Sequence, residues 1–320
     1  MARFLCSFDV AGTRSYRLSS RKLFGEYGGN VQNIPESIRE YLVADPDHVI
    51  LQVDQSGAEA LIVAYLCRPG FYRELFDVGI KPHTFLALNI FTNKFQGEHP
   101  PQRYQFRRPI ELSQLPEWKS LNKLISKDPG SETEYKLGKL TAHAKAYDMK
   151  APTFRLNVLQ KSQGAIILSL DEARRFLDTY DKLFPEILEW QAEVESEVSK
   201  SRVLYNLFGY PRIFAGRWCN ELVREAYSFV PQSTVGCLTS IAAAELQAET
   251  EKQKWRCDLL ANVHDALVVQ CHKNIVHEVA AFIQKSFGRP LTSPRGETFN
   301  MKSEAMFGPT WAKSTMEEIK

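Results

Sequence analysis

The residues from Val49 to Leu66 read V-I-L-Q-V-D-Q-S-G-A-E-A-L-I-V-A-Y-L, and the rest of the chain is organised around this segment. Its first five residues are apolar except for Gln52 and are rich in β-branched side chains, which favours a buried strand that ends at Asp54. Beyond Gly57, which permits a tight turn, the apolar residues recur at helical spacing. A carboxylate on a rigid strand beside a turn is well placed to hold a metal ion, although a lone Asp at a strand end is more often a turn former or a helix cap.

A second carboxylate of the same kind lies far downstream. Residues 259–262, L-L-A-N, and residues 263–270, V-H-D-A-L-V-V-Q, contain two apolar strands that lie on either side of His264 and Asp265. This pattern predicts a tight hairpin that exposes Asp265. Two-metal phosphoryl transfer requires two carboxylates held close together. We therefore expect the strand that carries Asp54 to pair side by side with the strand at Asp265, so that the two side chains share metal ions.

The third feature is a basic helix predicted from Tyr135 to Met149, which Pro152 ends. Its polar residues at spacings of three and four share one face: Lys136, Lys139, His143 and Tyr147. Cations that contact phosphates, together with an aromatic ring near a base, are what a nucleoside triphosphate needs. The alternative is a solvated stripe over a packed side of the helix.

Composition limits the class of protein. The chain has 320 residues, of which 44% are hydrophobic and 24% charged, so it is long enough for one large domain or two intertwined ones. It contains neither an apolar run of membrane-spanning length nor a secretory leader. The six cysteines form no zinc motif and are interpreted as reduced thiols. We expect a soluble cytoplasmic protein without a membrane partner, in a bacterium or a phage-infected host cell.

Three motifs together resemble family A DNA polymerases, the bacterial DNA polymerase I class. Residues 54–59, D-Q-S-G-A-E, resemble motif A of this family, which is written D-Y-S-Q-I-E-L-R. Residues 139–149, K-L-T-A-H-A-K-A-Y-D-M, resemble motif B, which is written K-x-x-x-F-x-x-x-Y-G. Residues 263–265, V-H-D, resemble the start of motif C, which is written V-H-D-E. The order and spacing agree from about residue 4 to Trp311. The N-terminal loop and the His in motif B are more similar to phage polymerases than to the bacterial enzyme.

Shorter segments carry the same resemblance. Residues 17–20 are similar to the family's T-G-R-L-S-S, and residues 30–35 are similar to its N-L-Q-N-I-P. His83-Thr84 is similar to the family's D-I-H-T, and residues 207–209 are similar to its T-L-F-G-R. Residues 224–234 are similar to its R-x-x-x-N-x-x-x-Q-G-T. The resemblance implies an α+β right-hand polymerase with an antiparallel-sheet palm, helical fingers and a thumb that is largely absent. It divides the chain into residues 1–66 (palm with motif A), 67–200 (fingers with motif B) and 201–320 (palm with motif C).

The resemblance also implies an activity and a set of site residues. The activity is template-directed transfer of deoxynucleotides to a primer 3′-hydroxyl in DNA replication, with two Mg²⁺ ions as cofactors and with primer-template DNA and deoxynucleoside triphosphates as partners. The implied catalytic residues are Asp54, Asp265 and Lys139, of which Asp54 and Asp265 hold the metal ions. The implied nucleotide-binding residues are Gln55, Glu59 (the steric gate against a ribose 2′-hydroxyl), His83, Lys139, His143 and Tyr147 (stacked at the insertion site). The implied DNA-binding residues are Arg17, Asn30, Gln32, Arg224, Gln232 and His264.

The chain departs from the family pattern at several positions. Tyr135 stands at the place of the first motif B arginine, Asp148 at the place of a glycine, and Ala266 at the place of the motif C glutamate. Gln55 and Leu61 replace the Tyr and Arg of motif A, and His143 replaces an aromatic residue. We expect reduced rather than absent activity.

Alternatives remain open at this point. One is a catalytically impaired nucleic-acid-binding remnant, which Asp148, Ala266 and a missing thumb favour. A relative of single-subunit RNA polymerases is disfavoured because Glu59 is present. The lack of thumb and exonuclease sequences before the palm leads us to expect a split or truncated polymerase, with a separate chain as the partner that supplies both parts.

Overall fold

The structure is a computed structural model that describes residues 3–10, 12–23, 28–95, 104–146 and 148–319. The chain divides into two compact units. Unit 1 contains Met1–Ile62, Leu204–Ile213 and Phe229–Lys320, and unit 2 contains Val63–Val203 and Phe214–Ser228. Elements are numbered below in chain order.

Unit 1 is built on an antiparallel sheet. Its elements are β1 (Ser7–Asp9), β2 (Ser19–Arg21), α1 (Glu36–Arg39), β3 (His48–Gln55), the start of α2 (Ala58–Leu66), most of β4 (Val203–Tyr205), β5 (Pro211–Ile213), the larger part of α12 (Asn220–Gln253), β6 (Cys257–Val263), β7 (Ala266–His272), α13 (Val276–Phe287), β8 (Pro290–Thr292), β9 (Thr298–Asn300), β10 (Ser303–Gly308) and β11 (Glu317–Glu318). The main sheet has the strand order β11-β10-β3-β7-β6. Helix α13 packs against β3 and β10.

The position of β3 in this sheet follows from its sequence. Leu51 and Val53 are fully buried, as their apolar β-forming side chains favour. β3 pairs with β7 so that Asp54 lies opposite Ala266, and with β10 so that Asp54 lies opposite Glu304. The expected pairing of the Asp54 strand with the Asp265 hairpin is therefore confirmed.

Unit 2 is helical in its described residues. Its elements are the end of α2, α3 (Phe71–Asp77), α4 (Pro82–Ile90), α5 (Thr92–Phe95), α6 (Pro109–Ser113), α7 (Trp118–Lys127), α8 (Glu132–Ala146), α9 (Ala151–Lys161), α10 (Leu170–Leu183), α11 (Pro185–Ser201) and the first residues of α12. Its core contains large, fully buried aromatic side chains, among them Phe85, Phe154 and Phe184. The buried helix α4 packs along α8.

Two helix boundaries differ from the sequence-based expectation. α12 runs without a break through Pro231, whereas the sequence pattern predicts two helices there, residues 220–227 and 232–253. An internal proline costs about 3 kcal/mol, but the neighbouring Phe229 and Val235 are fully buried, and their burial offsets that cost. α8 ends at Ala146 rather than at Met149, because Asp148 adopts a left-handed conformation with φ of 45°.

A smaller difference concerns the hairpin of β4 and β5. The sequence of residues 202–213 predicts a hairpin with Gly209 and Pro211 at its turn, but Pro211 is the first residue of β5. The turn is held by the Asn206 side chain, whose Oδ1 accepts from the backbone nitrogens of Phe208 and Tyr210 at 3.0 Å. The six cysteines are free thiols, as expected. Within the described residues, none of the helices combines the length and the apolar character that crossing a membrane requires.

Candidate active-site residues

The two predicted metal ligands lie side by side in unit 1. β6 and β7 are joined by a two-residue turn, His264-Asp265, in which His264 takes a positive φ of 59°. The backbone nitrogen of Gln55 donates to the Asp265 carbonyl oxygen at 3.2 Å, so the turn is held against the end of β3. A left-handed non-glycine residue is uncommon and is typical of constrained, often functional turns.

The electrostatics of this pair are those of two crowded anions. Burial, the charge of Asp265 and the charge of Glu304 raise the pKa of Asp54 to about 6, against a smaller opposing effect of Lys313. Burial also raises the pKa of Asp265, although its own backbone and Arg17 act in the other direction. The ionised form of each carboxylate is thus disfavoured where the pair stands alone.

Glu304 is a carboxylate that the sequence reasoning missed. It lies directly opposite Asp54 across β3 and β10, and directly opposite residues of an antiparallel pair share one face of the sheet. Ala266, at the place of the motif C glutamate, flanks Asp54 on the other side. No spacing in the sequence connects residue 304 with residue 54, since only the strand register brings them together.

The donor set fits Mg²⁺. Asp54 and Asp265 offer hard oxygen ligands, and a bound cation would stabilise the ionised carboxylates that burial disfavours and, at Asp54, that the neighbouring acids also disfavour. Among the described residues no group of three or more His, Cys, Asp or Glu side chains is arranged to hold one ion. Mg²⁺ is commonly held by one or two carboxylates together with waters and substrate phosphates, and the proposed site offers the two carboxylates of Asp54 and Asp265.

Glu59 and Arg17, predicted to contact nucleotide and DNA, form an ion pair in unit 1. Arg17 Nη2 donates to Glu59 Oε1 at 2.5 Å. Helix α12 approaches this arginine closely, because a Cβ atom at Gly236 would lie 2.9 Å from Arg17 Cγ and 3.1 Å from the Tyr16 carbonyl oxygen. The buried Nε of Arg17 has no hydrogen-bond partner among the described residues, which leaves a donor for a ligand.

The Gln55 and Gln32 side chains both make hydrogen bonds within unit 1. Gln55 is fully buried and its Nε2 donates to Thr239 Oγ1 at 2.8 Å, so it is an interior residue of unit 1 rather than one that a nucleotide reaches. The reason is strand geometry: adjacent residues point to opposite faces, so Gln55 cannot share the face of Asp54. The Gln32 side chain accepts from Ser20 N and donates to the carbonyl oxygens of Leu18 and Asn262, a set that anchors the N-terminal segment to β6.

The remaining predicted DNA-binding residues keep exposed or unsatisfied groups. His264 and Asn30 are exposed, and Asn30 Oδ1 accepts from Gln32 N at 2.9 Å. Arg224, in unit 2, has a buried Nε without a hydrogen-bond partner among the described residues. Gln232 is half-buried on α12 in unit 1.

The start of α4 and the middle of α8 bring together the phosphate-binding candidates of unit 2. The His83 and Tyr135 rings meet edge to face with centroids 4.9 Å apart. Gly138 makes this approach feasible, because a Cβ atom there would lie 2.5 Å from the His83 carbonyl oxygen and 3.1 Å from Ala87 N. Lys139, the next residue on α8, is exposed.

His83 is held neutral. Burial, Lys81 and Lys139 lower the pKa of its imidazole to about 4. A neutral imidazole has one N–H donor and one acceptor nitrogen, and it can donate to a phosphate oxygen without adding charge. The sequence reasoning identified His83 and Lys139 but missed Lys81 and Gly138.

At and just beyond the end of α8 lie two departures from the family pattern, His143 and Asp148. Asp148 has the positive φ for which the family pattern supplies glycine, and Lys150 Nζ donates to its Oδ1 at 2.8 Å. Its charge is therefore paired locally. His143 is exposed on α8, whereas Tyr147 lies outside the described residues.

Comparisons with known proteins agree with the fold. Residues 143–313 match the sequence model of DNA polymerase family A. The chain is similar to DNA polymerase I of Treponema pallidum (24% identical over 82% of this chain and 23% of that protein) and of Aquifex aeolicus (28% identical over 80% of this chain and 38% of that protein). It thus spans between about a quarter and two fifths of the length of these relatives.

A solved structure shares the fold. This structure is the POL domain of Pol1 from M. smegmatis, in complex with DNA primer-template and dNTP. It aligns with a TM-score of 0.70 and 19% sequence identity, and the alignment covers 96% of this chain and 48% of the M. smegmatis chain. The predicted α+β class with an antiparallel sheet is confirmed. Because the family model covers more than half of its residues, the chain belongs to DNA polymerase family A.

Proposed function

We propose that this chain carries out template-directed DNA synthesis, in which deoxynucleotides are transferred to a primer 3′-hydroxyl with two Mg²⁺ ions. The observation that carries the proposal is the pairing of β3 with the β6–β7 hairpin, which places Asp54 beside Asp265 although they are far apart in sequence. Family membership supports the same activity. We further propose a phage-type enzyme, from the N-terminal loop and His143.

In unit 1, Asp54 and Asp265 would hold the metal ions. Bound Mg²⁺ lowers the pKa of the attacking hydroxyl and stabilises the leaving pyrophosphate. The strands on both sides of β3 fix the Asp54 backbone, and the Gln55–Asp265 hydrogen bond holds the turn against β3, so the backbone positions of both residues are fixed.

Also in unit 1, Glu59 would exclude ribonucleotides. Its carboxylate is fixed by Arg17, so the side chain cannot easily move aside for a 2′-hydroxyl. Arg17 would in turn use its unsatisfied Nε to contact DNA. This assignment makes DNA rather than RNA the product.

In unit 2, Lys139 and His83 would bind the triphosphate of the incoming nucleotide. Lys139 presents an exposed ammonium group, and neutral His83 presents a hydrogen-bond donor. Tyr147 would stack at the insertion site, as the motif B resemblance implies.

A second candidate function is a nucleic-acid-binding remnant with impaired catalysis. Ala266 favours it, because the place of the motif C carboxylate is occupied by a buried methyl group. Asp148 favours it less than the sequence suggests, because Lys150 neutralises its charge.

The decisive experiment is primer extension by the full chain with Mg²⁺, alone and with an added polypeptide that contains a thumb and an exonuclease domain. Asp54→Asn removes the charge at constant size, and we expect at least on the order of a hundredfold loss of rate. The matched control is Asp258→Asn, an exposed Asp on β6 of the same sheet, which should retain activity.

Three outcomes separate the readings. Extension that Asp54→Asn abolishes supports the polymerase. A chain that binds primer-template with salt-dependent affinity, yet is inert in wild-type and variant form under both conditions, is the remnant. For Glu59, the Glu59→Ala variant should incorporate ribonucleotides more readily, and unchanged discrimination would remove its assigned role.

A further inference from the structure

We propose that Lys81 is a triphosphate-binding residue, which supplies from the start of α4 the cation that α8 lacks at Tyr135. The inference rests on the proposed polymerase function, which it deepens by naming a further residue for the same nucleotide. Every residue that it uses lies in unit 2.

The backbone around Lys81 is fixed. Lys81 is the N-cap residue of α4, its carbonyl oxygen accepts from the backbone nitrogens of Thr84 and Phe85 at 3.0 and 3.1 Å, and Pro82 begins the helix. Its side chain makes no capping hydrogen bond and is exposed. The ammonium group is therefore not needed to hold the helix and is available to a ligand.

Packing brings this position next to the α8 candidates. Because Gly138 lets α8 approach the His83 carbonyl oxygen, the first turn of α4 lies against the turn of α8 that contains Tyr135 and Lys139. Both Lys81 and Lys139 act electrostatically on the His83 ring and lower its pKa, so both ammonium groups lie within charge–charge range of it.

The charges in this region are left uncompensated, unlike others in the same unit. Lys94 pairs with Glu134, Lys145 with Asp181 and Lys150 with Asp148. By contrast, Lys81, Lys136 and Lys139 have no ion-pair partner in the described part of the chain. Several cations gathered without counter-charges favour binding of a polyanion.

Two departures from the family pattern, Lys81 and Tyr135, together support a phosphate-binding role for Lys81. Where the similar motif reads D-I-H-T, this chain has Lys81-Pro82-His83-Thr84, which replaces an acid by a base. Where motif B begins with an arginine, it has Tyr135, whose ring contacts His83. The positive charge lost from α8 is thus regained at the start of α4. Tyr135 keeps a positioning role, since it packs on the His83 ring.

The test uses the full chain and two readouts, calorimetric binding of inorganic tripolyphosphate and primer-extension kinetics. Lys81→Ala should weaken tripolyphosphate binding about tenfold, the size of one lost charge-assisted contact. It should raise KM for deoxynucleotides by a similar factor, with kcat changed less than about twofold, because a contact made in both ground and transition states affects binding.

The matched control is Lys161→Ala, which removes an exposed lysine at the end of α9 in the same unit and should bind tripolyphosphate like wild type. The double variant Lys81→Ala/Tyr135→Arg should recover most of the lost affinity. Wild-type binding by Lys81→Ala, an equal loss in Lys161→Ala, or no recovery in the double variant would each overturn the proposal.

The two readouts keep this inference separate from the proposed function. If the wild-type chain extends primers but Lys81→Ala behaves like wild type in both assays, the inference fails and the function stands. If the wild-type chain does not extend primers either alone or with the added thumb polypeptide, the function fails, and the tripolyphosphate titration still decides whether Lys81 binds a polyphosphate.

Discussion

Replacing Gly138 by alanine should destabilise the protein although alanine is the better helix former. In α8 the new Cβ atom would lie 2.5 Å from the His83 carbonyl oxygen, 3.1 Å from Ala87 N and 3.3 Å from Ala87 Cβ. Carbon and oxygen atoms that are not bonded prefer separations of about 3.3–3.6 Å. The nearest obstacle is backbone of α4, whose residues from Thr84 to Ile90 are buried, so the helix cannot shift without disturbing the core.

The magnitude follows from two opposing effects. Overpacking of this kind costs roughly 1–3 kcal/mol, and the change from glycine to alanine within a helix returns roughly 0.5–1 kcal/mol. We therefore expect Gly138→Ala to lower the free energy of unfolding by about 1–2 kcal/mol. The variant should also raise KM for deoxynucleotides, because separating α8 from α4 moves Lys139 away from His83.

Urea unfolding monitored by far-ultraviolet circular dichroism measures this change. The matched control is Gly216→Ala in the same unit, where the added Cβ would lie 3.5 Å from Leu222 Cδ1, an ordinary contact. Gly216→Ala should be neutral or slightly stabilising. If Gly138→Ala unfolds at the same or a higher urea concentration than wild type, the close packing of α8 on α4 and the grouping of Lys81, His83 and Lys139 built on it are refuted.

Three further predictions concern single groups. The pKa of His83 is about 4 in the folded chain against 6.5 in the unfolded chain, so its contribution to the free energy of unfolding is fully present above pH 6.5 and is lost as the pH falls to 4, about 3 kcal/mol in all. In urea titrations at several pH values, the His83→Gln variant should therefore lose less stability than wild type over this range. A pH profile of the variant that runs parallel to that of wild type would contradict the prediction. Because Asp148 occupies a left-handed conformation, Asp148→Gly should change the free energy of unfolding by less than about 1 kcal/mol, whereas Asp148→Val should lower it by about 1–2 kcal/mol. Urea unfolding measures both changes, and equal stabilities of the two variants would show that the backbone there is not left-handed. A double-mutant cycle on Arg17 and Glu59, with Arg17→Met and Glu59→Gln, should give a coupling energy of about 1 kcal/mol that decreases with salt, and strict additivity would rule out the ion pair.

The features that the sequence predicted correctly are those with a local cause. The apolar, β-branched run before Asp54 became β3, and α10 has the bounds that its amphipathic pattern indicates, Leu170–Leu183, ended by Phe184-Pro185. α12 was predicted as two helices because Pro231 is a local stop signal, yet burial on both sides of it stabilises a continuous helix. Tertiary packing here outweighs propensity.

The candidate site shows the same division. Asp54 and Asp265 could be identified from strand ends and motifs, but Glu304 could not, because its position opposite Asp54 depends on the register of β10. Gln55 was assigned to the nucleotide by its place in motif A. The period of two in a strand already puts it on the other face, and this rule could have corrected the assignment before the structure did.

The carboxylates of unit 1 and unit 2 differ in a way that bears on function. Asp148, a departure from the family pattern, is paired with Lys150 at 2.8 Å. Asp54 instead lies beside Asp265 and Glu304, on the central strand of the sheet, where burial and like charges raise its pKa to about 6. An arrangement selected for stability alone would pair or remove such a charge. A buried group of acids on the central strand of the sheet is the arrangement that the proposed Mg²⁺ site needs, and the proposal keeps two carboxylates, Asp54 and Asp265, although Ala266 stands beside Asp54 in place of a third acid.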